Sequence, residues 1–259
     1  MVENLNSQKS LLAFFQTKTK TSSESESKVK PKEKSFEKIP GFQLVENFIT
    51  EAEESFVWKE IYKRPWNTQF KRRIQYYGLK HHDDEREKLI CLGELPEFST
   101  FIVERIMEQK FLPVEPGQLC INEYRPGEGL IPHIDKTQDY GDEVIGISLG
   151  SDIIMDLISP KGEKIPIFLP RRSLYVLQGE SRYIWKHGIP GRKTDKLEDG
   201  KILFRRTRAS LTYRIVTKNN QIQIPKLFLL QNLEKSSDLN SGSGSNPGSE
   251  NIKKDANSL

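Results

Sequence analysis

The chain has 259 residues and a net charge of +4, with 29% of residues charged and 35% hydrophobic. That length fits one folded domain with tails, and the polar composition is explained by ends that do not join the core. No apolar run is long enough to span a bilayer, and the N-terminus lacks a signal peptide's hydrophobic core, so a soluble intracellular protein is expected. The mildly basic balance suits a polyanionic partner without requiring one. Cys91 and Cys120 have no metal-like spacing. Free thiols, buried or partly buried, in a reducing compartment are expected.

Residues 1–38 read as a disordered arm. Thr17 to Ser35 is built mainly of Lys, Ser, Thr and Glu and cannot bury enough apolar surface to order itself. Beside it lies an apolar island, Gln8, Leu11, Phe14 and Phe15. Such an island is exposed unless a partner covers it or it docks back on its own domain. Its spacing resembles the PCNA-interacting peptide, in which a short helical turn plugs aliphatic and aromatic side chains into a pocket on the sliding clamp. The resemblance implies PCNA as a partner through these four residues, and with it a nuclear protein.

The folded part is expected over residues 39–219. Thr50 with Glu53 forms a capping box, and Phe56, Val57, Ile61 and Tyr62 follow at helical spacing, which predicts a helix over Glu51 to Lys63. Ser99 or Thr100 starts a second helix that runs to about Gln109. Between them, Gln69 to Gly78 mixes cations with aromatics. Arg72, Arg73, Tyr76 and Tyr77 are candidate nucleic-acid contacts, because cations bind phosphates and aromatics stack on bases. An ordinary strand with a solvated basic face is the competing reading. His81, His82 and the acids after them tempt as a metal cluster, but adjacent residues on a strand face opposite ways.

After Pro113 the pattern becomes short and strand-like. Strands are predicted over Gln118–Arg125, Glu143–Leu149, Asp152–Ile158, Ile165–Leu169, Ser173–Gln178, Tyr183–His187 and Ala209–Val216, with turn signals such as Pro126-Gly127 between them. Many short strands with close turns imply a sandwich or barrel. From about residue 220 to 259 the chain turns polar and Gly/Ser-rich, as a disordered tail does.

The chemistry concentrates between Gln118 and Thr217. If Ile131 to Lys136 is extended, His133 and Asp135 point the same way. His187 supplies a second imidazole about fifty residues later. Two His and one carboxylate with open positions beside them suit a non-haem Fe(II) oxygenase. A His-x-Asp triplet alone says little, but its company adds to it. Asn122 and Tyr124 precede it. Arg208 and Arg214 lie six apart, on one face of a strand, and arginine grips carboxylates with a planar fork of donors. Iron, two arginines, a phenol and an amide together suit a small dicarboxylate that also chelates metal.

At these residues the chain resembles the AlkB family of Fe(II)/2-oxoglutarate dioxygenases, which reads Asn-x-Tyr, His-x-Asp, a later His, then Arg-x-x-x-x-x-Arg. The similarity covers about Gly41 to Thr217. It is nearest to the dioxygenase module of the animal homologue that modifies the tRNA wobble uridine, through Pro132–Asp135, Ser148–Ser151, Leu169–Leu174 and Gly179–Tyr183. The resemblance implies an α+β fold, a double-stranded β-helix (jelly roll) with flanking N-terminal helices. It implies Fe(2+) on His133, Asp135 and His187, with 2-oxoglutarate and O2 as cosubstrates. The far carboxylate of 2-oxoglutarate would meet Arg208 and Tyr124, while Asn122 and Arg214 steady its chelating end. A nucleotide-recognition lid is implied around Arg72, Arg73, Tyr76 and Tyr77. Lys164, Arg171 and Arg172 are further groove candidates, which turn solubility explains equally well.

One departure bears on substrate. Thr137 and Gln138 stand where the bacterial repair enzyme has two acids, the first of which contacts methylated adenine. Three functions are therefore weighed. Oxidative demethylation of alkylated DNA, tethered to PCNA, is expected first. Hydroxylation of a tRNA wobble uridine, which would place the protein in the cytoplasm, is the alternative. A non-catalytic nucleic-acid binder of the same fold would need a broken metal or cosubstrate set, and every position is present. A monomer is expected.

Overall fold

A computed structural model describes residues 38–69, 72–82 and 88–217. The expected arm and tail, including Gln8, Leu11, Phe14 and Phe15, lie outside these residues. Helix α1 spans Glu51–Tyr62 and starts with the predicted capping box: Thr50 Oγ1 accepts from the Glu53 amide, and Glu53 Oε2 accepts from the Thr50 amide at 2.8 Å. Helix α2 spans Thr100–Glu108 after a short 3-10 turn, and Ser99 caps it without a side-chain hydrogen bond. Arg105 of α2 ties the helices together through Glu53 at 2.7 Å.

The strands are β1 (Phe42–Val45), β2 (Ile74–His81), β3 (Leu89–Cys91), β4 (Gln118–Tyr124), β5 (Leu130–His133), β6 (Tyr140–Leu149) and β7 (Ile153–Ile158). They continue with β8 (Lys164–Leu169), β9 (Leu174–Leu177), β10 (Lys186–Ile189), β11 (Thr194–Lys196), β12 (Ile202–Phe204) and β13 (Arg208–Val216). A larger sheet has the order β1-β9-β6-β13-β4-β2-β3, a smaller one β5-β10-β7-β8, and β11 pairs with β12. The described pairings are antiparallel. This is the jelly roll with flanking helices that the sequence implied.

Alternation along the central strands builds two interiors. On β4, β6, β9 and β13, Leu119, Ile121, Ile145, Ile147, Leu174, Val176, Leu211 and Tyr213 turn toward the helices, where Val57, Ile61, Ile102 and Ile106 meet them. The intervening residues turn toward the smaller sheet, where Tyr124, Val144, Tyr175 and Leu177 pack with Met155, Leu157 and Ile167. Between the sheets the same face carries Cys120, Asn122, Arg208, Ser210, Thr212 and Arg214, which line a cavity of about 270 Å³. The period of two thus separates greasy from functional residues on a single strand.

Several expectations are corrected. Tyr183–His187 is not one strand: Gly179–Tyr183 is a short helix, α3, and the strand is Lys186–Ile189. Strand β5 ends at His133, so Asp135 lies beyond it. Cys91 is exposed, and only Cys120 is buried. Strands β1, β3, β11 and β12 were not foreseen, because strands of three or four residues carry too few alternations to read.

The β11–β12 hairpin is stapled by a buried carboxylate. Asp195 accepts from Arg205 Nε at 2.6 Å, Arg192 Nε at 2.6 Å and the Ile154 amide of β7 at 3.3 Å. Burial opposes its charge, but Arg205 and Arg192 outweigh burial and hold the carboxyl below its ordinary range. A depressed carboxyl contributes stability that is present above its unfolded value, about 3.9, and is lost as pH falls through the folded value. Asp195→Asn, which leaves buried Arg205 without its charge partner, is expected to destabilise the protein by about 3–5 kcal/mol at neutral pH. The deficit should shrink as pH drops below about 4, because the wild type then loses the same pair. Denaturant titrations across pH check this; a gap that does not narrow in acid would assign the cost to packing.

Candidate active site

Strand β10 brings His187 opposite His133 of β5 in direct register, and their rings lie 4.4 Å apart between centroids. Asp135 reaches the same point from the loop past β5. Its carboxylate lies 3.4 Å from His133 Nε2, and one ligand atom from each of the three residues falls within 4.8 Å of the others. No such group includes His81 or His82 among the described residues; His81 instead is buried with Nε2 at 3.2 Å from the Asp139 carbonyl.

What aims Asp135 inward is Arg182, on α3. It is 1% exposed, donates to the backbone oxygens of Asp135 (2.8 Å), Lys136 (3.2 Å) and Gly141 (3.3 Å), and thereby folds the loop against the sheet. Arg214 holds the carboxylate itself, with Nη2 at 3.1 Å from Oδ2. Burial would raise the Asp135 carboxyl, but Arg214 and then the imidazoles outweigh it and keep it well below the usual range. Burial pushes His187 down to about 4, so it is a neutral imidazole at physiological pH. Burial also opposes charge on His133, yet the Asp135 carboxylate raises it. His133 Nδ1 faces the Ile131 carbonyl at 2.9 Å, which leaves Nε2 for the cavity. An ionised carboxylate and imidazole lone pairs converging on one point are the donor set for a divalent transition metal.

The other end of the cavity is cationic. Arg208 is 2% exposed; its Nε donates to Ser148 Oγ at 2.8 Å, while its Nη1 is buried without a hydrogen bond. No carboxylate among the described residues pairs with it, and burial lowers its pKa. The guanidinium lies 5.5 Å from the Tyr124 ring centroid. Tyr175 closes the same end, lying across Gly146, where a Cβ would fall 2.1 Å from Tyr175 Cζ. A buried guanidinium with an unmet N–H is a receptor for an anion.

The four lid candidates divide by strand parity. Arg72 and Tyr76 line the cavity, and Arg72 Nε donates to Asn122 Oδ1 at 3.0 Å. Arg73 and Tyr77 turn to the other face: Arg73 pairs with Glu123 at 2.6 Å, and Tyr77 packs edge-on against Phe98. Asn122 Nδ2 is 3.3 Å from Cys120 Sγ. Lys164 pairs with Asp156, Arg171 with Glu54, and Arg172 reaches Asn47, all away from the cavity. Residues that single-sequence reasoning missed are Ser148, Tyr175, Arg182, Asp139 and Tyr140. Ser148 and Tyr175 share the inward parity of their strands, which was a usable signal; Arg182 had none beyond its short motif.

Residues 5–214 match the family described as the 2OG-Fe(II) oxygenase superfamily. The chain belongs to this superfamily. Within it, the chain is homologous to AlkB-family members. It is 37% identical over 202 residues to protein L905 of Acanthamoeba polyphaga mimivirus, covering 75% of this chain and 96% of that one. It is 37% identical over 170 residues to mouse ALKBH8, named a tRNA (carboxymethyluridine(34)-5-O)-methyltransferase, covering 61% of this chain but 26% of the relative. It is 34% identical over 206 residues to an Arabidopsis thaliana protein named alkylated DNA repair protein ALKBH8 homolog, covering 69% and 59%. In fold it is similar to the solved structure of OsALKBH1, with a TM-score of 0.52 at 16% identity over 68% of this chain and 98% of that one. No described helix is long and apolar enough to cross a membrane.

The oxygenase uses Fe(2+), 2-oxoglutarate and O2. Its residues fit these groups on the structure's own terms. His133, Asp135 and His187 form a two-His-one-carboxylate set, with Asp135 held ionised and His187 neutral, the states that bind metal. The unmet Nη1 of Arg208 fits the distal carboxylate of the cosubstrate.

Arg208→Met is expected to weaken 2-oxoglutarate binding by about 2–5 kcal/mol in calorimetry with Mn(II) in place of iron. Unchanged binding would make this arginine structural. Arg182→Met, which touches no ligand atom, should lower metal affinity roughly 10–100-fold, as loss of groups that orient ligands does. Metal titration followed by Mn(II) electron paramagnetic resonance reads this, and an unchanged affinity would show that the Asp135 loop holds its shape unaided.

Proposed function

We propose that this oxygenase oxidises a nucleobase within a nucleic acid, with a tRNA base as its first substrate. The observation that carries the reading is the mixture of cations and aromatic rings in the cavity lining. There Arg72, Lys80 and Lys136 stand beside Tyr76 and Tyr140, all lining the same space as the metal ligands. Lys80 Nζ lies 5.3 Å from the Tyr76 ring centroid. Cations hold phosphates and flat rings take up a base removed from its stack, so the combination suits a single flipped nucleotide.

Bound iron and 2-oxoglutarate supply an oxidant made from O2, with succinate and CO2 released, that puts oxygen into a C–H bond. The chain's own residues do the rest. His133, Asp135 and His187 fix where that bond must come. Arg208, Ser148 and Tyr124 orient the cosubstrate, and the cations and rings of the lining choose which carbon is presented. An N-methyl carbon so oxidised leaves as formaldehyde; a carbon-bound substituent keeps its hydroxyl.

RNA is placed first because similarity to the tRNA-modifying relatives extends over most of the described residues. Dealkylation of DNA at the replication clamp is the second reading, and Gln8, Leu11, Phe14 and Phe15 favour it. The test offers the full chain Fe(II), 2-oxoglutarate and, in parallel, tRNA and methylated DNA oligonucleotides. Succinate release stimulated by tRNA, with a hydroxylated nucleoside seen by mass spectrometry, is expected. Stimulation by methylated DNA with formaldehyde release would move the assignment to repair. Stimulation by neither would withdraw nucleic acid as the substrate.

A further inference from the structure

Asp139 has no part in the metal or cosubstrate sites, yet it faces the cavity they share. It is 3% exposed, and its Oδ2 is buried without a hydrogen bond. Its one ionic neighbour there is Lys136 Nζ at 3.5 Å, on a side chain that is half exposed. Its backbone is held in place. Its carbonyl lies 3.2 Å from His81 Nε2 and accepts from the Thr217 amide at 3.2 Å.

A buried carboxylate oxygen whose only charged neighbour is a half-exposed lysine at 3.5 Å, with no hydrogen bond, is poorly satisfied, and natural proteins keep few such atoms without a use. The missing donor does not come from the cosubstrate, which in its ionised form offers only acceptor oxygens. The cosubstrate also belongs at Arg208, which interacts with Tyr124 and Tyr175, whereas Asp139 adjoins Tyr140 and His81. The donor therefore belongs to the substrate being oxidised. Phosphates are acceptors as well. Among the parts of a nucleotide, the flat faces of Tyr76 and Tyr140 favour the base, and every common base carries N–H groups on its edge.

We propose that Asp139 is a specificity-determining residue: its Oδ2 accepts a hydrogen bond from an N–H on the edge of the base presented to the metal. This rests on the nucleic-acid reading above and names the feature of the base that the site reads. A base with an acceptor at that edge meets carboxylate with lone pair against lone pair and is rejected; a base with a donor there satisfies a group that is otherwise unsatisfied. Discrimination of this kind is large because the wrong partner leaves a buried polar atom unpaired.

The test compares wild type, Asp139→Asn and Asp139→Ala on matched RNA and DNA oligonucleotides that differ only in the donor or acceptor at one edge position of the target base. Readouts are substrate-stimulated succinate release and oligonucleotide affinity with Mn(II) and 2-oxoglutarate bound under anaerobic conditions. The expected result is a loss of about tenfold or more in kcat/KM for the donor-edged base in Asp139→Ala. Asparagine, which presents an amide N–H as readily as its carbonyl, should narrow the preference between donor and acceptor edges. Thermal unfolding of the variants is measured alongside, to separate base reading from a structural role.

Equal losses on all bases, or no change on any, would overturn the proposal while leaving the nucleic-acid reading in place. A fall in melting temperature with unchanged base preference would make Asp139 a structural partner of Lys136 and overturn it equally. Absence of stimulation by any oligonucleotide in the wild type would remove both.

Discussion

A carboxylate is buried at the centre of this molecule and kept ionised. Removing a charged carboxylate from water costs several kcal/mol even after relaxation, unless partners replace the lost solvent. Asp135 has them on two sides: Arg214 grips its oxygens, and Arg182 takes its backbone carbonyl. These arginines come from different elements, β13 and α3, so the ligand's position depends on both being in place. Were either missing, the loop after β5 would have no reason to turn into the sheets rather than out to water.

The same economy explains why one sheet serves two purposes. On β13, Leu211 and Tyr213 fill the space beneath the helices while Arg208, Ser210, Thr212 and Arg214 face the cavity. β4 repeats this, with Leu119 and Ile121 behind and Cys120, Asn122 and Tyr124 in front. The apolar residues anchor the strands by burial, and that anchoring makes the polar set rigid. A site on paired central strands holds its geometry better than one on loops.

The cavity is polar, but not everywhere in the same way. Its inner end has a buried guanidinium awaiting an anion, shaped by Ser148, Tyr124 and the ring of Tyr175 over Gly146. Elsewhere its lining mixes Lys80 and Lys136 with the buried carboxylate of Asp139. The buried guanidinium of Arg208, with an unmet N–H, suits the far carboxylate of a dicarboxylate.

The residue types and order of the ligand set were legible in the chain alone. His133, Asp135, His187, Arg208 and Arg214 declare their chemistry because few other tasks combine imidazole, carboxylate and paired arginines in that sequence. The capping box at Thr50 and the longer strands were equally readable, since local hydrogen bonds and the period of two are properties of neighbouring residues. What only the tertiary structure decided is which face each residue takes and what meets it there. Arg72 and Arg73 are adjacent and chemically identical, yet one lines the cavity and the other pairs with Glu123. The partners decide it: Asn122 meets Arg72 on one side of the chain and Glu123 meets Arg73 on the other. Arg182 and Asp139 are the sharper case. Their contacts span more than forty residues of chain, and no local pattern encodes them.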